Sequence, residues 1–393
     1  MPTTRFWPEI TTGRCLDRSL CSAGMTTTND LLLIANAGDG TISALRLHRE
    51  PDPHLEVLAT SADLPGCSTF AIDPDHDHDH VYAAFKGDPP GIATLTLDRE
   101  TGILTEIART PVEGSLSYLA LTPDGRSLLG VSYGGDFGAV WPVEGGSSGS
   151  PGSLGTAHSR FEHRNLHSVL VHHLSVDGAD ADADAIDTLR VYAASLGDDL
   201  IAQFAMASDA SGTLTPLDPP TVPAPTGSGP RHLVVEHVGG AASVYLVTEF
   251  SGEAIRYTVD ADGRLHPAES VTVTDPDAGL HHSRIGADPI AGHLIWGADI
   301  HRAGGHLITS ERTSSQLAVT TLGPGGELGP VLGFTPTETT PRGFGVSPDG
   351  RFVVAVGEGS THAQLLEVGD DGTLTPVDRV QIGVKANWVR FVT

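Results

Sequence analysis

Residues 243–259, SVYLVTEFSGEAIRYTV, carry the reading that decides the fold. A β-favouring apolar run (VYLV) leads into a short polar turn (EFSG) and then a second, alternating run (AIRYTV). Two short strands joined tightly produce this pattern. The unit returns as LLLIANAGDGTISALRL (31–47), HVYAAFKGDPPGIATLTL (80–97), SLLGVSYGGDFGAVWPV (127–143) and RVYAASLGDDLIAQFAM (190–206). HLITSERTSSQLAVTTL (306–322) and FVVAVGEGSTHAQLLEV (352–368) complete the set. The seven copies lie roughly 45 to 65 residues apart, a period that suits blades of about four short strands. The sequence therefore predicts an all-β chain folded as a seven-bladed β-propeller.

TPDGR (122–126) and SPDGR (347–351) read as the tight links from each innermost strand, A, to the next, B. Asp-Gly suits such a link because glycine accepts positive φ without steric cost. Strand A is then expected at 70–72, 118–122, 168–174, 232–238 and 343–346. The last run, NWVRFVT (387–393), has strand A character but no hairpin of its own. Pairing it with the N-terminal strands closes the ring and removes exposed sheet edges. The expected organisation is an extension at 1–24 followed by the propeller at 25–393. GGSSGSPGSLG (145–155) is a flexible insertion by composition. DPDHDHDH (73–80) and GADADADA (178–185) fall at A–B turns and read as solvated loops, since alternating His and Asp has no fixed ligand geometry.

The 49 acidic and 23 basic residues give a formal charge of −26. Such a surface repels nucleic acid and anionic membranes, so neither is an expected partner. An anion site would have to be built from locally clustered cations. No apolar run approaches the roughly 18 residues of a membrane span, and the N-terminal stretch lacks the apolar core of a signal peptide. Three cysteines (Cys15, Cys21 and Cys67) offer neither a disulfide framework nor metal-ligand spacing, and a reducing cytoplasm is the expected setting.

Strand A begins, and antiparallel strand B ends, on the same face of a propeller. Residues just before A and just after B therefore converge on one channel mouth. Before or at strand A lie His167, Arg231, His232, Asp299, His301 and Arg342; after strand B lie Glu249, Glu311, Arg312 and Glu358. His167, Arg231 and Arg342 fall at equivalent offsets in blades four, five and seven, and Glu249 and Glu311 read as equivalents in blades five and six. Several charges in a low-dielectric funnel are costly unless a ligand or a reaction uses them. There is no GxSxG elbow, no strand–helix phosphate loop and no metal spacing, so no cofactor or metal is expected. Acid–base work by His and Glu, with Arg holding a small anionic substrate, is the chemistry these residues suit.

GSGPRHLVV (227–235), VTEFSGEAIRYTV (247–259), ADIH (298–301), PTETTPRGFGVSPDGRFVVAVG (336–357) and the closing NWVRFV (387–392) resemble the seven-bladed lactonase family. That family includes the bacterial propeller-type 6-phosphogluconolactonase and the fungal 3-carboxy-cis,cis-muconate cyclase. The resemblance covers the chain from about Met25 to Thr393 and implies a catalytic group of His167, Arg231 and Glu249. It adds Arg312 and Arg342 as further candidates, and with His232, Asp299 and His301 from the channel-mouth reading they form the expected substrate-binding set.

Hydrolysis of a sugar lactone, 6-phosphogluconolactone first, is the leading expectation. His167 or Glu249 would act as base, Arg231 would stabilise the oxyanion, and Arg342 with Arg312 would anchor phosphate. A cycloisomerase acting on a muconate-like diacid is the alternative from the same residues. A non-catalytic propeller that binds a protein or a small anion is the alternative from a different class.

Overall fold

The computed structural model describes residues 29–61, 63–73, 79–144, 152–174, 189–207 and 212–393. The expected extension at 1–24 and the acidic stretch at 178–185 lie outside the described residues, as do 74–78 and 145–151. The chain forms seven four-stranded sheets, each antiparallel throughout, and is a seven-bladed β-propeller. Blade one takes its strand A from the C-terminus: Ala386–Val392 pairs with Asp30–Asn36, followed by Thr41–His48 and His54–Ser61. The other inner strands are Thr69–Ile72, Tyr118–Leu121, Leu166–His173, Pro230–Val238, Gly297–Ala303 and Gly343–Val346. Trp388 ties the closure down by donating its indole N–H to the Phe70 carbonyl of blade two at 3.0 Å.

Strand B is apolar along its whole length because both of its faces are covered. Leu31, Leu33 and Ala35 pack toward Phe70, Val81 and Ala83 of blade two. The intervening Leu32 and Ile34 pack toward Phe352 and Val354 of blade seven. The two-residue alternation of a strand thus feeds two cores, one on each side of the blade. The outermost strand of a blade does the reverse: along Leu104–Pro111 of blade two only Leu104 is buried, and the rest forms the wet rim.

The predicted A–B links are present. Gly125 sits at φ +68° and donates to the Thr122 carbonyl at 2.9 Å; Gly350, at φ +76°, donates to Ser347 at 2.8 Å. Between blades five and six the chain leaves the sheet through two short turns of helix, Pro276–Ala278 and Pro289–Gly292, and returns at Trp296. No helix among the described residues is long and apolar enough to cross a membrane.

Two inner strands start earlier than the sequence suggests, at Leu166 rather than 168 and at Pro230 rather than 232. Both continue through a β-bulge. Leu166 pairs with Ser195 and Ser168 with Ala194, leaving His167 as the extra residue. Pro230 pairs with Thr248 and His232 with Val247, leaving Arg231 extra. Asn387 is extra in blade one, and one residue of the Ala298–Asp299 pair is extra in blade six. A bulge re-aims the side chain it carries. Four blades therefore place one bulge each at the same end of the channel.

Candidate functional site

A second backbone feature repeats beside the bulges. The residue just after strand B donates its N–H to a carbonyl just ahead of strand A: Ala37 to Lys385, Lys86 to Pro65, Leu196 to Asn165, Glu249 to Gly229, and Arg312 to Trp296. In these five blades the bond fixes a slot at the channel mouth. It also corrects one reading, because Glu249 and Glu311 are not equivalent. Gly297 pairs with Glu311 as Pro230 pairs with Thr248, so the partner of Glu249 in blade six is Arg312. Glu311 instead holds the local turn, accepting from the Trp296 N–H at 2.7 Å and from Ser314 at 2.6 Å.

Adjacent blades thus present opposite charges from the same slot, and the charges meet. Glu249 Oε2 accepts from Arg231 Nε at 2.8 Å and from Arg312 Nη2 at 2.7 Å. The Arg231 side chain is 1 % exposed, that of Arg312 2 % and that of Glu249 13 %. Arg231 directs Nη1 to the Ala298 carbonyl and to His232 Nε2. Arg312 also bonds the Trp296 and Gly297 carbonyls and lies over the Trp296 ring, 3.8 Å from its centroid. Its Nη1 makes no hydrogen bond among the described residues. Arg342, from blade seven, reaches Glu358 at 3.3 Å with one Nη.

Burial, reinforced by Arg312, brings the Arg231 guanidinium down to about 9, and burial brings Arg312 down to about 10 despite Glu249. Burial pushes the Glu249 carboxyl up, but Arg312, Arg231 and Arg342 outweigh it and hold the group below the usual range. Glu358 is lowered in the same way, against its own burial, chiefly by Arg342 and Arg312. His167 is buried, and its Nδ1 has no hydrogen-bond partner. Burial first, then Arg231, His232, Arg342 and Arg312, hold its imidazole well below the ordinary histidine value. His167 is therefore neutral at physiological pH.

A cavity of about 350 Å³ opens at this mouth. His167, Glu249, Arg312 and Arg342 line it, with Trp296 beside them and Ser68, Lys86, Ser115, Ser117 and Tyr133 opposite. Its size suits a small ligand, since such pockets run from about 300 to 1,000 Å³. A larger hollow of about 690 Å³ at the edge of blade three, lined by Val112, Phe137 and Trp141 with Glu113, Glu144, His158 and Arg160, holds a single arginine, which is exposed and paired with Glu113.

Four of the residues predicted for the site lie beneath the cavity rather than in its wall: Arg231, His232, Asp299 and His301. His232 Nδ1 donates to Asp299 Oδ1 at 2.7 Å, and His301 Nε2 lies 3.4 Å from Asp299 Oδ2. Because Nδ1 carries the proton, Nε2 of His232 is left to accept from Arg231. Asp299 overcomes its own burial through His301 and His232 and stays ionised, while burial and Arg231 take His232 down to about 3. Asp299, His232, Arg231, Glu249 and Arg312 thus form one continuous chain of bonds that runs from beneath the cavity into its wall.

The sequence reading missed Lys86, Tyr133, Trp296 and the three serines. The signal for two of them was available. Lys86 follows Phe85 and Tyr133 follows Ser132, each directly after strand B, which is the position that identified Glu249 and Arg312.

The site and ring together define a seven-bladed propeller with a cup of His, Arg, Lys and Glu side chains at one mouth of its channel. The chain belongs to the lactonase family described as "Lactonase, 7-bladed beta-propeller", which matches residues 21–391. It is similar to the 6-phosphogluconolactonase of Sodalis glossinidius, with 30% identity over 303 residues, 76% of this chain and 81% of the relative. The 6-phosphogluconolactonase of Serratia proteamaculans is 29% identical over 347 residues, 86% of this chain and 92% of that one. Among solved structures, a periplasmic gluconolactonase of Pseudomonas aeruginosa superposes with a TM-score of 0.75 at 23% identity, covering 93% of this chain and 99% of its own.

Proposed function

We propose that the protein is a lactonase that opens 6-phosphogluconolactone to the free acid at the hub cavity. The names borne by its relatives give the substrate class. The observation that carries the reading is one cavity wall holding a neutral imidazole beside two arginines with unspent N–H groups. A lactone needs a base for water and positive charge where the carbonyl oxygen becomes an oxyanion.

His167 is the base. Its neutral form takes a proton from water as that oxygen attacks the lactone carbonyl. Arg312, through Nη1, faces the growing negative charge. Collapse of the tetrahedral intermediate breaks the ring C–O bond, and the proton held by His167 passes to the departing alkoxide. Glu249 is a poor base because two guanidiniums keep it ionised, and its work is to hold them in place. The sequence reading gave Arg231 the oxyanion; its burial beneath the cavity suits it instead to positioning Glu249. Asp299 and His232 extend that support, and His301 braces Asp299 from below.

The test is acid release from 6-phosphogluconolactone above the spontaneous rate, followed in a pH-stat. His167→Ala is expected to lower kcat by roughly 10²–10⁴-fold. A variant that keeps the wild-type kcat ends the assignment. Loss of the diene absorbance of a carboxymuconate without lactone opening would move the chemistry to cycloisomerisation.

A further inference from the structure

We propose that Lys86 anchors a phosphomonoester at the end of the cavity remote from the reacting carbonyl, and so sets the preference for phosphorylated over plain sugar lactones. The proposal rests on the lactonase reading for its substrate class and on separate residues for its geometry.

The cavity has two unlike walls. Blades five to seven supply Glu249, Trp296, Arg312 and Arg342, whose charges are largely tied to one another. Blades two and three supply Ser68, Ser115, Ser117 and Lys86, a wall of hydroxyls and one ammonium with no carboxylate among them. Lys86 forms no ion pair among the described residues, although the chain carries 49 acidic side chains. An exposed cation without a partner, facing a cavity in a protein of charge −26, is available to an incoming anion.

The lysine is placed rather than loose. It fills the same backbone slot as Glu249 and Arg312, its N–H donating to the Pro65 carbonyl at 2.7 Å. Gly66, at φ +62°, lies against its aliphatic stem: a Cβ there would come within 3.0 Å of Cδ and 3.2 Å of Cβ and Cγ. A side chain at this position would press on the stem, and the positive φ favours glycine there. Choice of residue points the same way. The chain uses lysine only twice, at Lys86 and Lys385, and takes arginine at its other cationic positions. Lysine offers a compact point charge with three rotatable donors, which suits a terminal phosphate flanked by serine hydroxyls.

Isothermal titration of the full chain with 6-phosphogluconate and with gluconate reads the anchor directly, whether or not hydrolysis occurs. Wild type is expected to bind the phosphorylated acid more tightly. Lys86→Gln should cut that preference by roughly 10- to 100-fold, the scale of a lost charge-assisted hydrogen bond, and Lys86→Arg should recover most of it. Equal weakening of both acids, or no preference in wild type, overturns the proposal. Lys86-dependent phosphate binding in a protein that opens no lactone would keep the anchor and end the catalytic reading. Lactone opening with phosphate binding indifferent to Lys86 would do the opposite.

Discussion

Glu249→Gln tests whether one carboxylate makes the buried arginine pair tolerable. Burial alone already disfavours both guanidiniums, which lie at about 9 and about 10, so their charged forms are costly even with Glu249 in place. The amide keeps an acceptor oxygen for the 2.8 Å and 2.7 Å bonds but removes the counter-charge. Breaking a buried ion pair costs about 3–5 kcal/mol, because it leaves an uncompensated charge. Unfolding entropy of about 2.1 cal/mol/K per residue, applied to the whole chain, converts that to a Tm lower by about 4–6 °C. Calorimetry at neutral pH measures it. The pH dependence supplies a second reading. The folded pKa of Glu249 is depressed, so its contribution is complete above the unfolded carboxylate value of about 4.3 and is lost as pH falls through the folded value. The stability gap between wild type and Glu249→Gln should therefore be full at neutral pH and close on acidification. A variant as stable as wild type at neutral pH, or a gap that ignores acid, refutes the account.

Two further outcomes follow from the same geometry. The imidazole of His167 is depressed, so the acid limb of kcat/KM should fall below the ordinary histidine value of about 6.5. A bound phosphate dianion offsets Arg231, Arg342 and Arg312, so the corresponding limb of kcat should lie at higher pH; coincident limbs would contradict this. Removal of Ala386–Val392 should abolish cooperative unfolding in circular-dichroism melts, because it bares the edge of Asp30–Asn36 and deletes the Trp388 tie to blade two. A truncated chain that melts like wild type would show that ring closure is dispensable.

Much of this architecture could be read from the chain because strand B is buried on both faces, which makes it an unbroken apolar run at a steady interval. The closing strand was legible for the complementary reason that NWVRFV has an inner-strand pattern and no hairpin to pair with. The site was legible only in part. A bulge leaves no mark in hydropathy, so His167 and Arg231 read as residues ahead of their strands rather than inside them. Matching Glu249 to Glu311 by residue type slipped the comparison by one position, and only the pairing of Gly297 with Glu311 sets it right. Lys86 was passed over because KGDPP looks like a plain turn; its meaning comes from Pro65 and Gly66, which sequence does not place beside it.

The extra residues inside the inner strands also bear on how such a centre can change. His167, Arg231 and Asn387 are clamped by ladder pairs on both sides, so their place at the channel mouth is set by the sheets themselves. Loss of a single residue at one of these positions would let its neighbours pair in regular register and would remove the side chain that the bulge aims at the cup. A frame-preserving deletion at one of these positions would therefore empty a place in the hub while leaving the blade around it paired.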